Sequence, residues 1–194
     1  LNVMDFFKVE GTMAFASSQE TFDLSDGSTT TATATRISGV GLDAFAGIVD
    51  GTTGDPQVGL QFTDVAFSIL LVEESAADGD RNWTSVQASI GTAALVGLDA
   101  DTFAISFANT QLNLNGAAAD NSVLDFVTTP YAVTVGDETL TFGYDGTDGQ
   151  LVEVSGDFNI QIGGVFSASG SAALETRSTT VTLASGETVD TNLL

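Results

Sequence analysis

The chain has 194 residues, 43% of them hydrophobic, and its 26 acidic and four basic side chains give a formal net charge of −22. A surface so acidic repels nucleic acid and anionic membranes, so neither is an expected partner. There is no cysteine and no histidine, which excludes disulfides, zinc fingers, thiol catalysis and Ser-His-Asp triads within this chain. No apolar run is long enough to cross a bilayer, so we expect no membrane insertion.

Alternation of apolar and polar residues is the dominant pattern along the chain. Residues 6–29 have the pattern of a strand, a turn and a second strand. Further alternating runs follow in chain order, over residues 35–49, 58–72, 83–96, 103–114, 123–135 and 138–144. A period of two indicates half-buried strands. Thr, Ser, Val and Gly dominate where a helix would need Leu, Glu, Lys and Arg.

The last hairpin shows this pattern most clearly. Between Leu151 and Ile162, the apolar residues of one parity are Val152, Val154, Phe158, Ile160 and Ile162. Gly163-Gly164 then predicts a turn, after which the alternation resumes. The sequence therefore predicts an all-β fold: an elongated antiparallel sheet or sandwich-like repeat unit with short turns, one polar face and little or no helix.

The opening of the chain recurs at its end. Residues 1–35 match residues 160–194 without a gap at an offset of 159. The identical pairs are Phe7/Phe166, Gly11/Gly170, Ala14/Ala173, Thr21/Thr180, Leu24/Leu183, Gly27/Gly186 and Thr29/Thr188. We interpret residues 1–194 as one β-rich repeat region of about one 159-residue period, whose two ends are equivalent copies of the same motif.

The two copies of this motif predict where consecutive units would touch. In a tandem array, each copy would complete a sheet begun by its neighbour, which is an identical or homologous repeat unit placed head-to-tail. Glycine within a strand often marks a close backbone approach. The candidate contact residues are Phe7, Gly11 and Phe15 in the first copy, and Phe166, Gly170 and Leu174 in the second.

Three acidic loops are candidate calcium sites. Their Asp-x-Asp or Asp-Gly-x-Asp spacing can place two carboxylates beside a Ca²⁺ ion, which takes six to eight oxygen ligands. The candidate ligands are Asp78, Asp80, Asp99, Asp101, Asp145 and Asp148. None of these loops completes an EF-hand, and Asp-Gly is also the ordinary composition of a tight turn. The plain turn is the favoured interpretation. The sequence requires no cofactor, and Ca²⁺ is compatible with these loops.

Catalysis has no positive support in the sequence. A glycosidase would need two facing carboxylates in a cleft lined by aromatic rings. The aromatic residues are one Trp, two Tyr and 13 Phe, and the Phe residues fall mostly at core parity. We expect that the chain is not an enzyme.

Several stretches resemble a known type of repeat. Residues 83–86, 91–98, 152–158 and 166–171 are similar to the long tandem repeats of giant secreted surface proteins of Gram-negative bacteria, of the adhesin or exoprotein type. The resemblance covers most of the chain. It implies an extracellular or cell-surface location, repeat blocks that act as stalks or matrix elements, and Ca²⁺ as a compatible ion.

Two functions follow from these observations. The first is a structural repeat of an extracellular bacterial filament, stalk or adhesin that assembles head-to-tail by strand pairing. The alternative is a Ca²⁺-dependent module that binds carbohydrate or a cell-surface partner through its acidic loops. The recurrence of the terminal motif favours the first.

Overall fold

The computed structural model describes residues 2–3, 6–75, 79–182, 184–186 and 188–193. It confirms the all-β prediction, and its described ranges contain no α-helix and one 3₁₀ turn, η1 (Gly146–Asp148). The strands are β1 (Asn2–Val3), β2 (Phe7–Leu24), β3 (Thr29–Val49), β4 (Pro56–Glu74), β5 (Asn82–Val96), β6 (Phe103–Gly116), β7 (Leu124–Asp125), β8 (Tyr131–Val135), β9 (Glu138–Phe142), β10 (Leu151–Ile162), β11 (Phe166–Thr182) and β12 (Thr188–Leu193).

Consecutive strands are neighbours in one large antiparallel sheet. Its order is β1-β2-β3-β4-β5-β6-β10-β11-β12, so the chain crosses the sheet one strand at a time. Segment 117–150, between β6 and β10, leaves this path. It contributes the two-residue β7, which pairs with β2, and the separate hairpin β8–β9.

The predicted turn at Gly163 and Gly164 is confirmed. Their φ angles are +57° and +62°, in the left-handed region that glycine adopts without a steric cost. On either side of this turn, β10 and β11 pair without a register shift, from Ile162 opposite Phe166 to Leu151 opposite Arg177.

Segment 117–150 forms a second layer on one face of the sheet. We call this the front face and the opposite one the back face. The buried core between the two layers includes Leu24, Leu70, Val72, Trp83, Leu124, Phe126, Val135 and Phe142. The indole N–H of Trp83 donates to the backbone carbonyl of Ser122 at 3.0 Å. The only tryptophan of the chain therefore fixes the start of the segment on the sheet.

All three arginines of the chain connect the sheet with this segment. Arg36 donates to the hydroxyl of Tyr131, Arg81 to the carboxylate of Asp120, and Arg177 pairs with Asp148. Burial, together with the neighbouring Glu20, raises the pKa of Tyr131 to about 12, so its hydroxyl is neutral at physiological pH. In a chain with so few basic residues, this placement shows that the segment is held by charge as well as by apolar packing.

A line of bulges crosses the middle of the sheet. Along this line, β3 has one residue more than β2, and β6 one more than β10, whereas β3, β4, β5 and β6 stay in net register with one another. Gly41, Asp64 and Asn109 lie on the line with φ angles of +55°, +54° and +51°. An extra residue would normally turn all later side chains to the other face. The bulges absorb it, so the same face stays apolar on both sides of the line.

Replacement of Phe142 by alanine should lower the free energy of unfolding by about 3–5 kcal/mol, because the ring is fully buried between segment 117–150 and the sheet. Urea denaturation followed by tryptophan fluorescence measures the effect, since Trp83 lies in the same core. Val127→Ala is the matched control. Val127 belongs to the same segment but is 54% exposed, so its change should stay below about 0.5 kcal/mol. Equal losses in the two variants would contradict the packing described.

Candidate functional site

The strand pairing at the start of the sheet repeats near its end. In β1–β2, Val3 lies opposite Phe7. In β10–β11, Ile162 lies opposite Phe166. Each residue of the second pair comes 159 positions after its counterpart in the first. The backbone register therefore repeats with the same offset as the sequence motif.

The following hairpin repeats in the same way. Asp23 lies opposite Thr29 where β2 turns into β3, and Thr182 lies opposite Thr188 where β11 turns into β12. The match holds for every residue pair of β11–β12. The β10–β11–β12 edge of the sheet thus has the same strand register as the β1–β2–β3 edge.

The outer edge of β2 is mostly without a partner strand. β1 pairs only with the first two residues of β2, and β7 pairs only with its last two. No described strand therefore pairs with residues 10–18 from that side. In contrast, β10 pairs with β11 over residues 166–177. Because those residues are equivalent to residues 7–18, a strand placed as β10 is would fill the edge without displacing β7.

All six predicted contact residues lie on the back face. In β2, Phe7, Gly11 and Phe15 have the parity opposite to that of the core residue Phe22. In β11, Phe166, Gly170 and Leu174 lie opposite Ile162, Phe158 and Val154 of β10, whose parity is opposite to that of the buried Leu151. Their large side chains are exposed, by 38% in Phe7, 72% in Phe15, 51% in Phe166 and 55% in Leu174. The structure therefore brings them to equivalent places near opposite edges of one face, and contact between units stays a prediction.

The equivalent glycines Gly11 and Gly170 have different neighbours. Gly11 has a φ of +138°, and a Cβ there would lie 2.6 Å from the Leu42 side chain of β3. Gly170 lies beside the ring of Phe158 on β10, 3.5 Å from the position of a Cβ. In a continued array, an equivalent of β10 would pair with the outer edge of β2, and an equivalent of β3 would pair with β11. Each glycine would then have a phenylalanine equivalent to Phe158 on one side and a leucine equivalent to Leu42 on the other.

The candidate calcium ligands Asp99 and Asp101 belong to the loop between β5 and β6. One carboxylate oxygen of Asp99 accepts from the backbone N–H of Asp101 at 3.1 Å, and the other accepts from the hydroxyl of Thr102 at 2.9 Å. The backbone carbonyl of Asp99 accepts from the N–H groups of Thr102 and Phe103. Asp99 therefore organises its own turn, while Asp101 is exposed.

The candidate ligand Asp145 precedes η1, and Asp148 is the last residue of η1. One carboxylate oxygen of Asp145 accepts from the hydroxyl and the backbone N–H of Thr147, at 2.7 and 2.8 Å, and these bonds lower the pKa of Asp145. Asp148 pairs with Arg177 of β11. Asp145 therefore organises its own turn, and Asp148 attaches segment 117–150 to β11.

The last candidate pair lies in the loop between β4 and β5. Asp78 is outside the described residues, and Asp80 is exposed. Asp80 precedes β5 and Asp101 follows it, so the two loops lie at opposite ends of a strand of about 50 Å. Within the described ranges, no three acidic side chains gather as metal ligands would. The structure thus separates these carboxylates, and the calcium site stays a prediction.

Sequence reasoning missed a charge cluster beside this loop. The guanidinium of Arg81 donates to both carboxylate oxygens of Glu74, at 2.5 and 3.0 Å. Thr30 donates to one of the same oxygens at 2.8 Å. These bonds lower the pKa of Glu74 from its ordinary value of 4.5 to about 2. Thr30 is far from Glu74 in sequence, and the loop between β4 and β5 separates Arg81 from Glu74. No local sequence motif therefore indicates this cluster.

Replacement of Glu74 by glutamine should destabilise the protein at neutral pH, because Arg81 and Thr30 would lose an ionised partner. A carboxyl whose pKa is lowered in the folded state stabilises it above about pH 4.5, and this contribution disappears as the pH falls towards 2. The stability gap between wild type and variant should therefore close over that range in urea titrations. Glu73→Gln, at the exposed neighbouring position, is the control. A gap independent of pH would contradict the assigned ion pair.

Calcium should leave the melting temperature of the chain unchanged. The carboxylates of Asp99 and Asp145 already accept hydrogen bonds within their own turns, and Asp148 is paired with Arg177. Thermal melts in millimolar CaCl₂ and in EDTA, at equal ionic strength and with MgCl₂ as the control ion, measure this. A rise in melting temperature with Ca²⁺ alone, abolished in Asp80→Asn, would instead support the calcium-dependent module.

No protein family, curated protein or solved structure was found to match the chain. In the described part of the chain, no helix has the length and apolar character needed to span a membrane. Function is therefore argued from the sheet itself: its repeated register, its edges and its faces.

Proposed function

We propose that the chain is a structural repeat of an extracellular bacterial filament, stalk or adhesin, whose consecutive units join edge to edge by strand pairing. The observation that carries this proposal is the 159-residue offset, which the strand registers at both edges of the sheet share. Each unit would supply the strand that pairs with the outer edge of β2 in the next unit. Backbone hydrogen bonds across the junction would then continue the ladder found within the unit.

The direction of growth follows from the strand order. Six strand-to-strand steps separate β2 from its equivalent β11. Because neighbouring strands lie about 4.8 Å apart, one period would advance the array by about 29 Å. The strands would lie across the long axis, as rungs of one continuous sheet. Since each unit would contact mainly its two neighbours, length would grow simply with the number of repeats.

The charge of the chain suits a surface location. A net charge of −22 keeps neighbouring filaments apart through mutual repulsion. Together with the resemblance to secreted bacterial repeats, this supports a place outside the cell or on its surface. The proposal assigns no catalytic role to any residue. Identical or homologous repeat units are the partners that it requires.

A calcium-dependent binding module is the second candidate. The observation in its favour is that Asp80 and Asp101 are exposed in loops, where they are accessible to an ion or a ligand. Because these loops lie at opposite ends of the sheet, such a module would use one of them at a time. The comparison of CaCl₂ with EDTA described above separates it from the structural repeat.

A tandem chain of residues 1–159 followed directly by residues 1–194 tests the edge pairing, because this junction keeps the offset. Peptides that cover residues 10–18 should divide into two equal populations in amide hydrogen exchange. One should exchange as in the 194-residue chain and the other more slowly, since its outer edge is paired in the second copy. Peptides from β4, which has a partner on both sides, are the internal control. A single population that exchanges at the original rate would overturn the proposal.

A further inference from the structure

The back face of the sheet carries complete apolar rows. In an antiparallel sheet, directly opposed residues point to the same face. One row crosses six strands through Phe15, Ile37, Ile69, Val86, Leu114 and Val152, each opposite the next. This row lies on the same side of the bulge line as the core, but on the other face of the sheet.

A second complete row lies beyond the bulge line. It passes through Ala44, Phe62, Ala93, Phe107 and Phe158, again each opposite the next. In β10, Phe158 has the same parity as Val152, and no bulge in that strand separates them. Both rows therefore belong to the back face, which is apolar over the whole width from β3 to β10.

Charged side chains avoid this surface. At the back-face positions of β2 from Phe7 to Phe15 and of β10 from Val152 to Ile162, every residue is apolar or glycine. The front face has the opposite character on the same strands, with Lys8, Glu10 and Asp157 exposed or partly exposed. Within these ranges, charge is therefore confined to the front face; the acidic back-face residues Asp23 and Glu73 lie at the far ends of β2 and β4, outside the apolar rows.

The back face is also where large apolar side chains are exposed. Its most exposed members include Met13 at 60%, Phe15 at 72%, Phe107 at 44% and Leu174 at 55%. The elements outside the large sheet that pack on it are β8, β9 and η1, and all come from segment 117–150 on the front. Within the described ranges, the back face therefore has no second layer.

The dimensions of this surface favour a partner. From β2 to β11 it is about 29 Å wide, and from Val152 to Ile162 it is about 34 Å long, which gives about 1,000 Å². A typical monomer exposes apolar patches of about 300–600 Å² at most. Two such faces in contact would bury about 2,000 Å², above the roughly 1,600 Å² of a stable interface.

We propose that the back face of a second copy of this chain covers the back face, giving a two-layer sandwich with segment 117–150 on both outer surfaces. A partner must offer an extended, uncharged surface and must keep its carboxylates away from the interface. The chain's own back face meets both requirements. Two sheets pack face to face at about 10 Å, with their strands within about 30° of each other.

The same face carries both a protrusion and a depression. Phe15 protrudes near the β2 edge, and a depression of about 300 Å³ lies over Gly156 and Ala172 near the β11 edge. The depression exists because glycine and alanine stand between the larger Phe158 and Leu174. In a two-fold dimer, each copy presents both features to the other, so a single fit is used twice.

This face pairing is independent of the edge pairing proposed above. Edge pairing extends a sheet through backbone hydrogen bonds, whereas face pairing stacks two sheets through side chains. Either one can fail without the other. A test must therefore distinguish a dimer that forms through faces from one that forms through edges.

Sedimentation velocity of the 194-residue chain at micromolar concentration should show a dimer. Phe107→Asp, which places a charge within the second apolar row, should weaken dimerisation by at least about 100-fold, because a buried unpaired charge is costly. Val165→Asp is the matched control. Val165 is equally apolar and 90% exposed, but it lies in the turn after β10, off the back face, so this variant should dimerise as the wild type does.

Spin labels provide a second readout that does not depend on the folding of the aspartate variant. Because the chain has no cysteine, Ala168→Cys and Ser169→Cys each introduce one labelling site, on the back and front faces of β11. A nitroxide at residue 168 should be immobilised and should couple magnetically to the label of the second copy. A nitroxide at residue 169 should stay mobile. Dilution below the dissociation constant should release the label at residue 168.

Three outcomes would overturn the proposal. The first is a wild-type chain that stays monomeric at micromolar concentration. The second is a dimer in which the label at residue 168 stays mobile, as association through edges would give. The third is a chain whose label at residue 168 becomes immobile only on addition of phosphatidylcholine vesicles, which would identify lipid as the occupant.

Discussion

The structure depends on keeping one face of a long antiparallel sheet apolar, although β3 has one residue more than β2, and β6 one more than β10, at the bulge line. A slip of one residue would turn every later side chain to the other face. The extra residues of β3 to β6 are absorbed together along the line that contains Gly41, Asp64 and Asn109. In β4, for example, Val65 and Phe62 both point to the back face although one residue number is odd and the other even. Each is directly opposite a back-face residue on both neighbouring strands. The apolar rows on both sides of the line are consequences of this match.

Separation of charge follows from the same arrangement. Where the back face is apolar, the acidic residues of the strands lie on the front face, as Glu10 and Asp157 do. The three arginines then become the points at which this acidic surface is joined to its own second layer, as in the pair of Arg177 with Asp148. Apolar packing around Trp83 and Phe142 supplies the rest of that attachment. On the core side of the bulge line, the front face is therefore covered within the chain, whereas no described element covers the apolar rows of the back face.

Edge pairing and face pairing would extend an assembly in perpendicular directions. Pairing at the outer edge of β2 would continue the hydrogen-bonded ladder along the sheet, and the repeated register at both ends would provide the alignment. Pairing of back faces would add thickness and would remove the apolar rows from water. A ribbon of two sheets built in this way would be closed on its faces by segment 117–150 and would grow only at its ends. The sequence repeat would thus align units edge to edge, and the apolar back faces would stack two sheets.

The strands and the period could be predicted from the sequence, because side-chain alternation and turn residues are local properties. Three such features could be recognised in the sequence alone: the strand from Val152 to Ile162, the turn at Gly163 and Gly164, and the 159-residue offset. Three other features could not. Residues 123–135 alternate as the other strands do, so no local signal shows that this stretch leaves the sheet. The acidic loops around Asp80 and Asp101 look alike in sequence, yet β5 holds them at opposite ends. Only the tertiary structure decided which apolar face is covered, because burial is a property of what lies across from a residue and not of what lies beside it in the chain.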